Sequence, residues 1–375
     1  MKIINVKTIN RKYKIFIDNQ LFNKLYSSEE YKSNSLFFYF KNPNAKLFLI
    51  TNETIYSIYK DQIKEFLIKN SGSFKIFLLG DGEEEKNLDN VKIIYKEMLN
   101  FDMHRNDTIV AFGGGVIGDI AGFAASTYHR GVSFIQIPTT IIAQVDSSIG
   151  GKTAVNFQNA KNIIGSFYQP NAIFIDPDLL KTLPEKEIIN GLSEIIKYGI
   201  VFDSSILKDL YYLGKEINSD ILQLISREKF KNIIYKSCKI KAVVVQKDEF
   251  DQSYRNFLNF GHTFGHAIEK SLELKGVTHG IAVAIGMLMA IDASIFLGYK
   301  LEKFKEYVLN IYKMFKIPQR LEGVDIKPII DALKFDKKFN SNRTKFILLK
   351  KINKPFFAYN ISEDVIKNTI SQNIG

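Results

Sequence analysis

Cysteine is nearly missing from this chain. Cys238 is the only one in 375 residues, which excludes internal disulfides and zinc ribbons and fits a reducing compartment. The opening stretch, Met1 to Asp18, lacks the uninterrupted apolar core of a secretory signal, because lysines and an arginine break it up. No apolar run reads as long enough to span a bilayer; the best, Ile281 to Ile291, is followed at once by Asp292. There is no arginine-rich block, internal repeat or low-complexity tract. These absences point to a cytoplasmic protein with no membrane association.

The length exceeds one ordinary core, so two domains are expected. Hydrophobic residues at 46% and charged residues at 24% describe a globular chain. The net charge of +11 admits three readings: nucleic-acid binding, a general bias toward lysine, or attraction of an anionic small substrate. The lysines are spread along the chain with acids between them, which favours bias plus an anionic substrate, and no nucleic acid.

The first half alternates strand and helix patterns. Strands are expected at 2–6, 12–17, 46–51, 75–79, 108–112, 132–137 and 172–176, with helices at 55–70, 91–101 and 120–127 between them. Such alternation implies parallel strands joined by crossover helices, a Rossmann-like sheet. Gly113-Gly-Gly-Val-Ile-Gly-Asp119 lies at a strand-to-helix turn, where backbone amides approach a pyrophosphate closely. A tight glycine turn without a ligand is the plain alternative. The polar stretch Ala143 to Asn156, long for a connection, reads as a binding loop. Beyond Pro184 the pattern turns helical, with the boundary at 182/183 and a short strand pair expected around 343–349.

Histidine is scarce, five in all, yet His262, His266 and His279 fall close together. His262 and His266 are one helical turn apart, a separation that suits two ligands of one metal and equally a pair lining a helix. Thr263 stands where a hydrolytic zinc site keeps glutamate, so protease chemistry is not expected.

These segments, taken in order, resemble the 3-dehydroquinate synthase family. The match runs through DGEEEK at 81–86, GGGVIGD at 113–119, PTT at 138–140, QVDSSIGGKTAVN at 144–156, KNIIGSFYQP at 161–170 and LKTLP at 180–184. It continues through GLSEIIKYG at 191–199, KAVVVQKDE at 241–249, RNFLNFGHTFGHA at 255–267, HGIAVAIGM at 279–287 and FDKK at 335–338. The resemblance implies an α/β NAD-binding domain over 1–182, a mainly α-helical metal- and substrate-binding domain over 183–375, and a homodimer. It implies one divalent metal, zinc or else cobalt, held by Glu194, His262 and His279, which moves His266 to the substrate side.

NAD would meet Asp81, Glu83, Lys86, the turn Gly115, Val116, Ile117, Gly118 and Asp119, then Thr139, Thr140, Lys152, Lys161, and Leu179, Leu180, Lys181 and Thr182. The substrate, a phosphorylated sugar acid, would meet Asp146, Lys152, Asn162, Lys197, Lys241, Arg255, Asn259 and His266, with Arg130 reaching the neighbouring subunit's site. Catalytic parts fall to Asp146, Lys152, Lys197, Asp251 and His266. A lysine near the C-terminus also belongs to the site, either Lys345 or one of Lys337 and Lys338. Two positions depart from the family pattern: Ile281 replaces a common glutamate, and Asp251 is a shorter carboxylate than usual. Rival readings are a related sugar-phosphate cyclase, a metal-dependent alcohol dehydrogenase of the same fold, and a non-catalytic nucleic-acid-binding protein. Arg255 and Lys241 favour a substrate that carries a carboxylate.

Overall fold

The short apolar runs of the first half become strands in the computed structural model, which describes residues 1–27, 45–158, 160–218, 220–272, 277–339 and 345–375, without the side chains of 334–339. In chain order these are β1 (Lys2–Lys7), β2 (Lys12–Ile17), β3 (Leu47–Asn52), β4 (Phe74–Leu79), β5 (Thr108–Gly113) and β6 (Ser133–Pro138). A separate hairpin, β7 (Lys152–Phe157) and β8 (Ala160–Phe167), precedes β9 (Ala172–Ile175). The sheet order is β1-β2-β9-β6-β5-β3-β4. Only the β1–β2 pair is antiparallel; every other pairing in the sheet is parallel.

Both faces of this sheet are covered, which is why its strands carry continuous apolar runs. Successive residues of β5 go to opposite sides. Val110 and Phe112 pack with the helices Leu21–Ser27 and Glu53–Asn70, while Ile109 and Ala111 pack with Leu88–Asn100 and Gly115–Thr127. The stretch expected as a binding loop, 143–156, is only partly loop: Ala143–Ser147 is a π-helical turn and Lys152 onward is strand. Its small and polar residues hide the alternation in KTAVNF, where Thr153 and Val155 are buried and their neighbours are not.

The first compact unit contains Met1–Leu183 together with Lys241–Phe250; the second contains Pro184–Ile240 and Asp251–Gly375. The segment Lys241–Phe250 therefore falls on the other side of the 182/183 cut, for a local reason. Gln246 accepts from the Lys7 amide at 2.9 Å, and Glu249 accepts from the Ile9 amide at 2.8 Å and from Gln169 at 2.9 Å.

The second unit is mainly helical, with one antiparallel hairpin among its described residues, β10 (Lys345–Lys351) and β11 (Lys354–Tyr359). The helical pattern expected beyond Pro184 is interrupted by a 3-10 turn, Ile221–Leu224, before the helix Glu228–Lys247 begins. At the centre lies the helix His279–Phe296, whose 18 residues and mean hydropathy of 1.8 do reach membrane-spanning length, contrary to the reading that stopped the run at Asp292. It is 78% buried inside the protein. Asp292 does not end the helix because Lys305 holds both of its oxygens, at 2.6 and 2.7 Å, and Asn373 donates to it at 2.7 Å.

Candidate active site

In the first unit, four connections leave the carboxyl ends of parallel strands and bring the expected cofactor residues to one edge of the sheet. Asp81, Glu83 and Lys86 follow β4; Gly115 to Asp119 follow β5; Thr139 and Thr140 follow β6; Leu179 to Thr182 follow β9. The chain runs outward from β3 to β4 and returns to β5 on the opposite side of β3. Ligands of doubly wound sheets bind at such a reversal, outside the carboxyl ends. The helix Gly115–Thr127 starts directly after Gly114 with no side-chain cap, so its first amides point to the same edge.

Lys86 organises the polar groups there. Its side chain is buried, and Nζ donates to Asp119 Oδ2 and to Asn162 Oδ1, each at 2.5 Å, with Glu83 Oε1 at 3.9 Å. Burial pushes the Asp119 carboxyl up to about 6 against the opposing pull of Lys86. Asn156 donates to Glu83 at 2.9 Å and accepts from the Asn162 amide at 2.9 Å, so it bridges the two. Asp81 accepts from Thr54 at 2.5 Å. Ile117, Leu179 and Leu180 turn their side chains into the core, leaving only backbone groups for a ligand. Lys181 pairs with Asp178 at 3.0 Å, while Lys152 and Lys161 are exposed on the hairpin. Asp146, on the π-helical turn, pairs with Lys241 at 2.5 Å. Arg130 is exposed at a turn in which it and His129 both adopt positive φ (61° and 48°).

In the second unit three donors converge. Glu194 lies on the helix Glu185–Val201, while His262 and His279 are the first residues of the helices His262–Ser271 and His279–Phe296. One ligand atom from each lies within 4.8 Å of the others. Glycines make this approach feasible. A Cβ on Gly286 would sit 2.1 Å from the Gly261 carbonyl oxygen and 2.8 Å from the Gly265 amide, so the two histidine helices meet backbone to backbone. Gly261 also supplies the left-handed φ of 83° that turns the chain into the first of them.

Glu194 is 2% exposed, and among the described residues neither of its carboxylate oxygens has a hydrogen bond. It forms an ion pair with Lys197, equally buried, so this is no surface helix pair. A carboxylate taken from water and left this poorly satisfied is costly, and a divalent cation would fill the deficit. Burial holds His262 well below the ordinary imidazole range, reinforced by Lys197, His279 and His266, so it is neutral and able to ligate. For His279 burial acts downward too, but the Glu269 hydrogen bond and the charges of Glu194 and Glu269 outweigh it, and the net shift is upward. The donor set, one carboxylate and two imidazoles, suits zinc or cobalt. His266 is exposed and outside the converging set, although its ring is 5.5 Å from that of His262.

Around this cluster, Arg255 is 2% exposed on the 3-10 turn Tyr254–Asn259, and Asn259 is exposed at its end. Asn256, on the same turn, donates to the Asp251 carboxylate at 3.2 Å and accepts from Lys345 Nζ at 2.8 Å. Lys345 thus lies beside the turn that carries Arg255; the side chains of Lys337 and Lys338 fall outside the described residues, as do Arg343 and Thr344. Ile281 is half-buried in the first turn of its helix. Two residues that sequence reasoning passed over touch the site. Glu269 Oε1 is 3.1 Å from His279 Nδ1, and Asn190 accepts from the Gly280 amide. A carboxylate spaced along the helix of a candidate ligand was the available signal for Glu269; none existed for Asn190.

Comparison with known proteins identifies the family and the fold. Residues 76–190 match the model of the 3-dehydroquinate synthase N-terminal domain and residues 191–339 that of its C-terminal domain. The 3-dehydroquinate synthase of Thermoanaerobacter pseudethanolicus is 38% identical over 369 residues, covering 98% of this chain and 99% of that one. Two solved structures share the fold at 24% identity. One is 2-epi-5-epi-valiolone synthase from Streptomyces hygroscopicus with NAD+ and Zn2+ bound (TM-score 0.82, 96% of each chain covered). The other is 2-deoxy-scyllo-inosose synthase complexed with carbaglucose-6-phosphate, NAD+ and Co2+ (TM-score 0.83, 99% of this chain and 100% of that one).

Proposed function

The chain belongs to the 3-dehydroquinate synthase family, and on that premise we propose that it converts 3-deoxy-D-arabino-heptulosonate 7-phosphate to 3-dehydroquinate and phosphate. The overall change is alcohol oxidation, phosphate elimination, re-reduction, ring opening and aldol closure. The observation that carries this reading is the convergence of Glu194, His262 and His279 around a buried carboxylate short of partners. Held there, a divalent cation would polarise the hydroxyl that is oxidised, lowering its pKa. NAD, bound at the carboxyl edge of the sheet, would supply a hydride acceptor that is restored within the same turnover.

The chain's own groups bind and orient. Arg255, which is buried, carries a planar fork that suits the substrate carboxylate. Lys152, Asn162, Lys241 and His266 suit phosphate and hydroxyl groups, with Lys345 positioned through Asn256. Lys197, buried against Glu194, would hydrogen-bond a substrate hydroxyl and move a proton at that oxygen. Asp146, paired with Lys241, sets the charge of that lysine's surroundings. Asp251, held by Asn256, keeps a carboxylate near Arg255. We further infer that the chain works in the cytoplasm as a homodimer in which the exposed Arg130 reaches the phosphate bound by the other subunit.

The test is incubation of the purified chain with the heptulosonate phosphate, NAD and zinc, following 3-dehydroquinate and free phosphate together. They are expected to appear one for one, without accumulation of NADH. Faster phosphate release from glucose 6-phosphate or sedoheptulose 7-phosphate, which lack the carboxylate, would assign the chain to another cyclase activity of this fold.

A further inference from the structure

We propose that Glu269 is a positioning residue for the metal site, locking His279 into the tautomer and ring orientation that ligate the ion. This rests on the reading of Glu194, His262 and His279 as metal ligands. The ionised carboxylate of Glu269 only accepts hydrogen bonds, so at 3.1 Å from Oε1 the His279 Nδ1 must carry the proton. The lone pair of that ring is then on Nε2, the atom left to face the ion.

His262 is tied in the same manner, with Nδ1 3.3 Å from the carbonyl oxygen of Phe260, which also only accepts. The two imidazoles are thus presented by the same nitrogen, one fixed by backbone and the other by Glu269.

The distinction matters because the rings differ in support. The His262 side chain is 14% exposed, whereas that of His279 is 40% exposed and is the more open to rotation. The backbone of His279 is already placed. Asn190, one turn before Glu194 on its helix, accepts from the Gly280 amide. A Cβ on Gly280 would come 2.1 Å from the Asn190 carbonyl oxygen, so the start of the His279 helix is held against the helix of Glu194. What remains free is the rotation of the imidazole about its side-chain bonds, and Glu269, 14% exposed and anchored on the helix of His262, removes it. Carboxylates that orient ligating histidines in this way raise ligand basicity and metal affinity.

The test measures zinc affinity by chelator competition, and the visible absorption of the cobalt-substituted chain, in the unmodified protein and in His279→Ala, Glu269→Ala and Glu269→Gln. Melting of each metal-free protein is recorded alongside. The unmodified chain is expected to bind one ion that His279→Ala loses. Should the unmodified chain bind none, the metal-site reading falls and this proposal with it. Glu269→Ala is expected to bind zinc about 10- to 100-fold more weakly, with altered cobalt absorption and an unchanged metal-free melting temperature. Glu269→Gln, which keeps an acceptor oxygen without the charge, is expected to recover part of that loss. Glutamine and alanine variants that bind as tightly as the unmodified chain, while His279→Ala does not, would overturn the role of Glu269 and leave the ligand set intact. If the alanine variant fails to fold, an unchanged affinity in Glu269→Gln is sufficient to overturn it.

Discussion

Lys305→Ala tests how the helix that begins with His279 keeps a charge in its apolar body. Asp292 is 2% exposed, and the lysine supplies two of its contacts, at 2.6 and 2.7 Å, while Asn373 supplies one at 2.7 Å. Removing one partner of a buried pair strands the other and typically costs about 3–5 kcal/mol. A ceiling follows independently, because a stranded carboxylate takes up a proton instead of staying charged. Starting from an ordinary carboxyl pKa of about 3.9, that uptake costs about 4 kcal/mol at pH 7 and about 1.4 kcal/mol less for each unit the pH is lowered. The two routes agree, so the expected loss at pH 7 is about 4 kcal/mol. The sign is fixed: in the variant the folded state holds a proton that the unfolded state releases, so its deficit shrinks as pH falls. Urea unfolding followed by far-UV circular dichroism at pH 7 and pH 5.5 reads this directly; the chain has no tryptophan to report by fluorescence. A loss under about 1 kcal/mol at pH 7, or one that does not shrink at pH 5.5, would refute the assignment. The paired change Lys305→Met with Asp292→Leu is expected to restore most of the stability, since apolar replacement of a buried pair is often neutral.

Replacing Glu194, His262 or His279 by alanine is expected to abolish zinc uptake and reduce turnover more than about 100-fold, read by metal analysis and phosphate release. Lys86→Met would leave the partly buried Asp119 without its cation, and NAD affinity by calorimetry is expected to fall at least about tenfold, about 1.4 kcal/mol. Arg255→Met is expected to raise KM for the heptulosonate phosphate far more than for a carboxylate-free sugar phosphate, measured by parallel assays. Asp176, buried and accepting from the Phe22 and Asp178 amides, is pushed up to about 6 by burial. Its folded form therefore binds a proton more tightly than the unfolded chain, so its contribution to stability weakens as pH rises from about 4 through about 6. Asp176→Asn is expected to flatten that part of the unfolding profile.

Much of the fold could be read from pattern because its strands are buried on both faces. Runs such as LFLI at 47–50 and TIVAF at 108–112 admit few alternatives, and the glycines at 113–115 mark the turn that follows. The stretch at 143–156 was harder, since Lys152 to Phe157 finds its partner in β8 and buries only alternate small residues. Length and hydropathy also misjudged the helix at 279–296, where Lys305 and Asn373, distant in sequence, neutralise and satisfy Asp292. Among site residues, the histidine cluster and the ordered motifs were visible, and with them the family. Glu269 left only its spacing on the helix of His262, and Asn190 left nothing, because a hydrogen bond across two helices has no periodic mark.

The order of apolar runs, glycine turns and rare histidines determined, by itself, an α/β half, a helical half and the kind of chemistry to expect. Only the tertiary structure decided that Glu194 and Lys197 are a buried pair and not a surface one, and that Glu269 and Asn190 stand against the first residues of the helix that His279 begins. The reason is range. Periodicity records what each residue does within its own helix or strand, whereas ligation and tautomer depend on where separate helices meet, and that is set by glycine contacts such as Gly286 against Gly261.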